Sequence, residues 1–191
     1  FWPAGARLMA LSDDPQHLAN LPGGGGVLGC PAAGLAALAG LVAPRDFAGT
    51  THARIDPPAQ MTAAYVLTRI AALRPERAII VEEAPTARGP MHATLPATRE
   101  RGFYTCASGG LGYALSGALG VAMGEGARGA PDKVIALLGD GAAMYTIQGL
   151  FTAFQEKLPI SFCILNNGAY AALTGFSGEF GMNHVPGCDL A

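Results

Sequence analysis

The sequence predicts an α/β fold: a doubly wound, mostly parallel sheet with helices on both faces. Three observations lead there. From about Gln60 onward, apolar runs of strand length alternate with helix-length stretches, the order that yields parallel strands joined by covering helices. Two of those runs, Val134 to Leu138 and Ile160 to Leu165, end in polar turns, Gly139-Asp140-Gly141 and Asn166-Asn167-Gly168. Half of the 191 residues are hydrophobic and only 14% are charged, so the chain can bury a sizeable core, with length for one full domain and part of another.

The elements follow in order. A strand is expected at Arg7 to Ala10, a turn at Asp13-Asp14-Pro15, and a helix from about Ala33 to Val42. The Gly23 to Gly26 run invites a phosphate-loop reading, but no Gly-Lys-Ser/Thr follows it, so it reads as a flexible connector. Pro44, Gly49 and Pro57-Pro58 mark residues 44–58 as a linker between segments 1–43 and 59–191. Next come helix Gln60 to Leu73, strand Ala78 to Glu82, helix Leu111 to Met123 and strand Lys133 to Leu138. Ile147, Leu150, Phe151 and Phe154 give the stretch Thr146 to Lys157 one apolar helical face, Leu158-Pro159 stops it, and strand Ile160 to Leu165 follows.

The chemistry sits at the two turns. In an open parallel sheet such junctions lie at the carboxyl edge, where ligands bind. Asp140 supplies a carboxylate, Asn167, 27 positions later, an amide oxygen, and Ala169 a backbone carbonyl just beyond. Oxygen ligands without cysteine or histidine suit Mg2+, which completes its octahedron with water and substrate phosphate. Gly141 lets an anion approach the backbone. A helix beginning near Met144 to Thr146 would aim free N–H groups and its positive dipole end at that anion. Gly-Asp-Gly alone is a common turn tripeptide; the strands and helix around it point to a metal-bridged diphosphate, with another nucleotide-binding α/β domain as the alternative.

The strand-helix-strand unit closed by Gly139-Asp140-Gly141 and Asn166-Asn167 resembles the fingerprint of thiamine diphosphate enzymes. The similarity runs from about Arg54 to the end, through Glu82-Glu83-Ala84-Pro85-Thr86, Ala107-Ser108-Gly109-Gly110-Leu111-Gly112 and Asn166-Asn167-Gly168-Ala169-Tyr170. Within that family it looks most like the benzoylformate decarboxylases and related 2-oxo acid decarboxylases. The resemblance implies thiamine diphosphate and Mg2+ held by Gly139, Asp140, Gly141, Ala142, Asn167, Ala169 and Tyr170, with Asp140, Asn167 and the Ala169 carbonyl on the metal. It also implies that the Gly109 carbonyl meets the aminopyrimidine, Leu111 wedges beneath the bent cofactor, Thr86 lies near the diphosphate, and Ala172, Leu173 and Phe176 line the substrate pocket. Read from the residues alone, Leu111 belongs to a tightly packed buried helix spanning Gly109 to Gly124, and Phe176 is core packing. Many relatives carry a hydroxyl residue directly after Gly-Asp-Gly; Ala142 offers only its N–H, a difference worth about 0.5 to 1.5 kcal/mol.

By the same resemblance, residues 1–43 look like the tail of a Rossmann-like middle domain and 59–191 like a C-terminally incomplete thiamine diphosphate-binding domain. The activity expected of the intact enzyme is nonoxidative release of CO2 from a 2-oxo acid to give an aldehyde. An acetolactate synthase-like carboligating transferase, or a noncatalytic or split-subunit cofactor-binding module, are the alternatives. The activating glutamate and substrate-handling histidines of the family lie outside the matching segments, so no catalytic residue is assigned, and His17, His52, His92 and His184 inherit no role. Because the family's cofactor lies between subunits, the resemblance implies a homodimer or homotetramer formed through a pyrimidine-binding domain, and an exposed apolar surface on this chain.

A net charge of -2 gives no basic footprint for nucleic acid. The uncharged stretches Gly102 to Gly124 and Leu158 to Gly178 are long enough to span a bilayer by count, but their glycines, Pro159 and the Asn pair argue against a membrane partner. Phe1-Trp2-Pro3 lacks the charged start of a signal peptide, and a cytoplasmic protein is expected. Cys30, Cys106, Cys163 and Cys188 contain no C-x-x-C pair and are expected to be buried free thiols.

Overall fold

The computed structural model describes residues 5–44, 57–129, 132–182 and 187–188. The chain divides into two compact units, Phe1–Thr51 and His52–Ala191. The division falls within the stretch read as a linker, of which residues 45–56 lie outside the described residues, as do His52 and His184.

In the first unit, strand β1 (Met9–Ser12) pairs in parallel with β2 (Gly25–Leu28), flanked by helices α1 (Pro15–Ala19) and α2 (Pro31–Leu41). Asp14 caps α1 by accepting the Gln16 N–H at 2.8 Å. The glycine run is therefore no flexible connector along its whole length. Gly24 sits at φ +87, with the Leu8 backbone where a Cβ would go, and its neighbours Gly25 and Gly26 enter the strand. Pairing with β1 supplies the order that local composition does not.

The second unit holds α3 (Ala63–Leu73), β3 (Ile79–Glu83), a 3-10 turn (Pro85–Ala87), α4 (Arg88–Thr94), β4 (Phe103–Thr105), α5 (Tyr113–Ala127), β5 (Val134–Gly139), α6 (Asp140–Met144), α7 (Gly149–Gln155), β6 (Ile160–Leu165) and α8 (Ala171–Glu179). Its four strands are all parallel, in the order β4-β3-β5-β6. Side chains alternate across the sheet. Ile79, Val81, Val134, Ala136 and Leu138 pack on one face against Ala114, Leu115, Ala118 and Ala122 of α5. Ile80, Ile135 and Leu137 pack on the other against Leu67 of α3 and Met91 of α4. Burial on both faces explains the continuous apolar runs, each large side chain contributing about 1.5 to 3 kcal/mol.

Several expectations change. The helix expected from Thr146 to Lys157 is the shorter α7, Gly149–Gln155, and a separate five-residue helix that was not expected, α6, begins at Asp140 directly on the strand end. Helix α5 starts at Tyr113, so Gly109 to Leu111 form a loop rather than helix. Strand β4 and helices α4 and α8 had no clear periodic signal. The apolar face of α7 is largely unburied: Phe151 is 65% and Phe154 81% exposed, and only Ala153 is buried. All four cysteines are free, but Cys188 alone is buried. Cys30 is exposed, because it stands at the N-terminus of α2 rather than inside the apolar stretch beside it.

Candidate functional site

Parallel strands bring their carboxyl ends to one edge, and a cavity of about 320 Å³ opens there. Every residue of the set inferred from the sequence lines it: Thr86, Gly109 and Leu111 on one side, Gly139 to Ala142 at the base, and Asn167, Ala169, Tyr170, Ala172, Leu173 and Phe176 on the other.

The base is made by β5 and β6. Gly139 pairs with Leu165, so the turns after both strands lie side by side. One hydrogen-bond system ties them together. The Gly168 N–H is shared between Asp140 Oδ2 and Asn166 Oδ1, both at 2.9 Å, and Asn167 Oδ1 accepts the Ala169 N–H at 3.1 Å. Gly168 adopts φ +70, a conformation open to glycine at no steric cost. Gly141 is required for a different reason: a Cβ there would lie 3.0 Å or less from three atoms of the Tyr170 ring. Tyr170 packs against the base so closely that burial, with Tyr145 and Asp140 nearby, pushes its phenol pKa up.

The opposite wall hangs from β3. Its last two residues are carboxylates, and both are buried. Glu83 accepts the N–H of Gly112 at 2.6 Å and of Ala114 at 2.7 Å, filling the open donors at the start of α5. Gly112, at φ +95, turns the chain there, and the clamp holds the adjoining Gly109 to Leu111 loop at the cavity wall. Glu82 faces away from Glu83 and accepts from Ala84 N, Arg88 Nε and the Thr105 hydroxyl. Cys106 also lines the cavity. The Ser108 hydroxyl, 3.3 Å from its sulfur, and the N–H groups of Ser108, Gly110 and Gly109 hold its thiol pKa below the ordinary value.

Leu111 (36% exposed), Leu173 (51%) and Phe176 (56%) are wall residues, so the core readings of Leu111 and Phe176 do not hold. Sequence reasoning passed over Glu83, Arg88 and Cys106. Glu83 lay inside the quoted Glu-Glu-Ala-Pro-Thr segment but carried no spacing that named its partners; Arg88 and Cys106 carried no signal.

The donors fit a hard cation and a diphosphate. Asp140 Oδ1 has no hydrogen-bond partner among the described residues, the Asn167 carboxamide stands on the same cavity, and α6 begins at the base. No group of three His, Cys, Asp or Glu side chains suited to a metal occurs among the described residues.

A parallel sheet with a lined cavity at its carboxyl edge defines a ligand-binding α/β domain, and residues 87–190 match the thiamine pyrophosphate enzyme, C-terminal TPP binding domain. The chain belongs to that family, whose cofactor is thiamine diphosphate, the other name of thiamine pyrophosphate. It is 33% identical to benzoylformate decarboxylase of Pseudomonas aeruginosa across its whole length, covering 36% of that protein. Among solved structures, benzoylformate decarboxylase from Polynucleobacter necessarius superposes with a TM-score of 0.85 at 29% identity, over 98% of this chain and 36% of that one. The thiamine diphosphate-dependent 4-hydroxybenzoylformate decarboxylase of Rhodococcus jostii RHA1 gives 0.82 at 33% identity, with the same coverage. The chain thus spans about a third of the length of the relatives it matches. No helix among the described residues is long and apolar enough to cross a membrane.

Proposed function

We propose that the cavity holds thiamine diphosphate through Mg2+, and that the protein carrying this chain is a 2-oxo acid decarboxylase of the benzoylformate type. The observation behind this reading is the tie between the Asp140 and Asn167 turns, which brings a carboxylate and a carboxamide to one cavity of about 320 Å³. In this reading Asp140, Asn167 and the Ala169 carbonyl hold the metal. Gly139, Gly141 and Ala142 offer backbone to the diphosphate at the start of α6, and Tyr170 closes the base. Thr86 would hold the cofactor on the diphosphate's side, and Leu111 and Gly109, on the same cavity, would support and orient its ring portion.

The bound cofactor supplies the electron sink for loss of CO2. This chain's residues bind it, orient it and exclude water. Ala172, Leu173 and Phe176 give the substrate an apolar wall suited to an aryl side chain, although such walls discriminate weakly, one methylene being worth about 1 to 3 kcal/mol. No side chain here is assigned a proton-transfer role. Self-association belongs to the same reading: the exposed Met144, Tyr145, Phe151 and Phe154 form an apolar face next to the site that a second copy would cover. So does a cytoplasmic location, which the four free thiols favour.

The test is product analysis with the protein at its full natural length. Benzoylformate should yield CO2 and benzaldehyde with higher kcat/KM than pyruvate yields acetaldehyde. Acyloin as the main product would replace decarboxylase with carboligase. Replacing Phe176 with Ala should change the benzoylformate-to-pyruvate ratio more than it changes cofactor affinity.

A further inference from the structure

We propose that Arg88 is an oxyanion-binding residue of this cavity, an inference that rests on the cofactor-site reading above. Three charged side chains line the cavity: Glu83, Arg88 and Asp140. The carboxylates are engaged by backbone, Glu83 by Gly112 and Ala114 and Asp140 by Gly168. Arg88 is the single cation among these lining residues, on a wall whose other charges would repel an incoming anion.

Its guanidinium is fixed along one edge only. Nε donates to Glu82 Oε1 at 3.0 Å and Nη2 to Thr105 Oγ1 at 3.4 Å. Glu82 is itself fully buried and held by the Ala84 N–H and the Thr105 hydroxyl, so the anchor does not swing. Nη1 makes no hydrogen bond to a protein acceptor among the described residues, and the side chain is 37% exposed. Of the five N–H donors on a guanidinium, two are accounted for. The remaining ones keep the planar fork that matches a carboxylate or phosphate. Structural need explains this poorly. Burying the Glu82 carboxylate costs desolvation that offsets part of its attraction to Arg88, and pairing alone uses no more of the guanidinium than the edge already engaged, on a residue that also lines the cavity.

The ligand chemistry is an oxyanion, either the cofactor's diphosphate or the carboxylate of the 2-oxo acid. The experiment compares wild type, Arg88→Gln, Arg88→Lys and the double variant Glu82→Gln/Arg88→Gln at full natural length, by calorimetry with Mg2+ present. One arm sets thiamine diphosphate against thiamine; the other sets benzoylformate against benzaldehyde. Arg88→Gln should weaken one anionic ligand about tenfold or more while its uncharged counterpart binds as before. Selective loss for thiamine diphosphate assigns the diphosphate, and selective loss for benzoylformate assigns the carboxylate. The lysine variant should recover only part, since it keeps charge without the fork. The double variant leaves no charge buried alone and carries the test should Arg88→Gln not fold; it should show the same selective loss. Equal binding by all proteins, equal weakening of charged and uncharged ligands, or anion binding restored in the double variant would each overturn the inference and leave Arg88 as the counterion of Glu82. If wild type itself fails to bind thiamine diphosphate, the cofactor-site reading falls and this inference with it.

Discussion

Asp132 at the amino edge of the four-stranded sheet and the cavity-lining carboxylates at its carboxyl edge are held in opposite ways, with Glu82, paired with Arg88 behind the cavity carboxylates, as the exception at the carboxyl edge. At the amino edge, residues that each precede a strand meet around Asp132. Arg77 grips it with Nε and Nη2, both at 3.1 Å, while Arg99 donates to it at 3.0 Å and also to the Arg77 carbonyl. At the carboxyl edge, Glu83 and Asp140 are held by main-chain N–H groups. Cations cancel a carboxylate's charge and leave nothing for a ligand. Backbone donors hold its position without adding a competing side chain, so charge and open valence stay available at the cavity. The amino edge thus contributes to stability, while the carboxyl edge organises a site.

Removing Asp140 breaks the comparison most sharply. Asp140→Ala should lower Mg2+-dependent thiamine diphosphate affinity by a hundredfold or more, about 2.7 kcal/mol, with little change in thermal stability. Calorimetry with and without the metal decides this, and undiminished metal-free binding by the variant would remove the metal bridge.

Glu83→Gln follows. One acceptor then faces two N–H donors, so a buried group goes unsatisfied at a cost of about 1 to 3 kcal/mol, read by urea unfolding. Loosening the loop that carries Gly109 and Leu111 should weaken cofactor binding as well, which a purely stabilising role would not do.

Ala142→Ser sharpens the contrast by adding a side-chain donor to an edge built on backbone. If its hydroxyl reaches the diphosphate, affinity rises by about 0.5 to 1.5 kcal/mol. Unchanged affinity in the same titration would mean that the α6 N–H groups already satisfy that oxygen.

The smallest effect belongs to the amino edge. Hydrogen bonding to Arg77 holds the Asp132 pKa below the usual carboxylate range. A depressed folded-state pKa gives stability that is present above the unfolded value and lost as pH falls through the folded one. The stability difference between wild type and Asp132→Asn should therefore shrink only in strong acid, and shrink with added salt near neutral pH, because the network is partly exposed. Melts across pH and ionic strength check both.

What was legible beforehand follows one pattern. Strands β3 and β5 were readable because burial on both faces demands continuous apolar runs, and β6, a half-buried edge strand, carries an apolar run as well. The residues of the two turns were readable because strand ends in a parallel sheet converge. β2 was not, since its glycines become a strand only when β1 lies alongside. Helix α6 was missed altogether, because Gly-Asp-Gly reads locally as a turn, although Gly139 and Asp140 go straight from strand to helix.

The sequence by itself determined the parallel sheet and the oxygen-donor chemistry of its two turns, since each depends on local composition and on the short interval between neighbouring strands. Thr86, Gly109, Leu111, Ala172, Leu173 and Phe176 were named by family resemblance, not by composition. Tertiary structure alone decided which carboxylate is shared with a backbone turn, which caps α5, and which anchors Arg88. Glu82 and Glu83 are adjacent and identical in type, yet strand alternation sends them to opposite faces of the sheet, where different partners await them. No property of the pair in sequence separates their roles, because the partners lie as far as 31 positions away and are brought near only by folding.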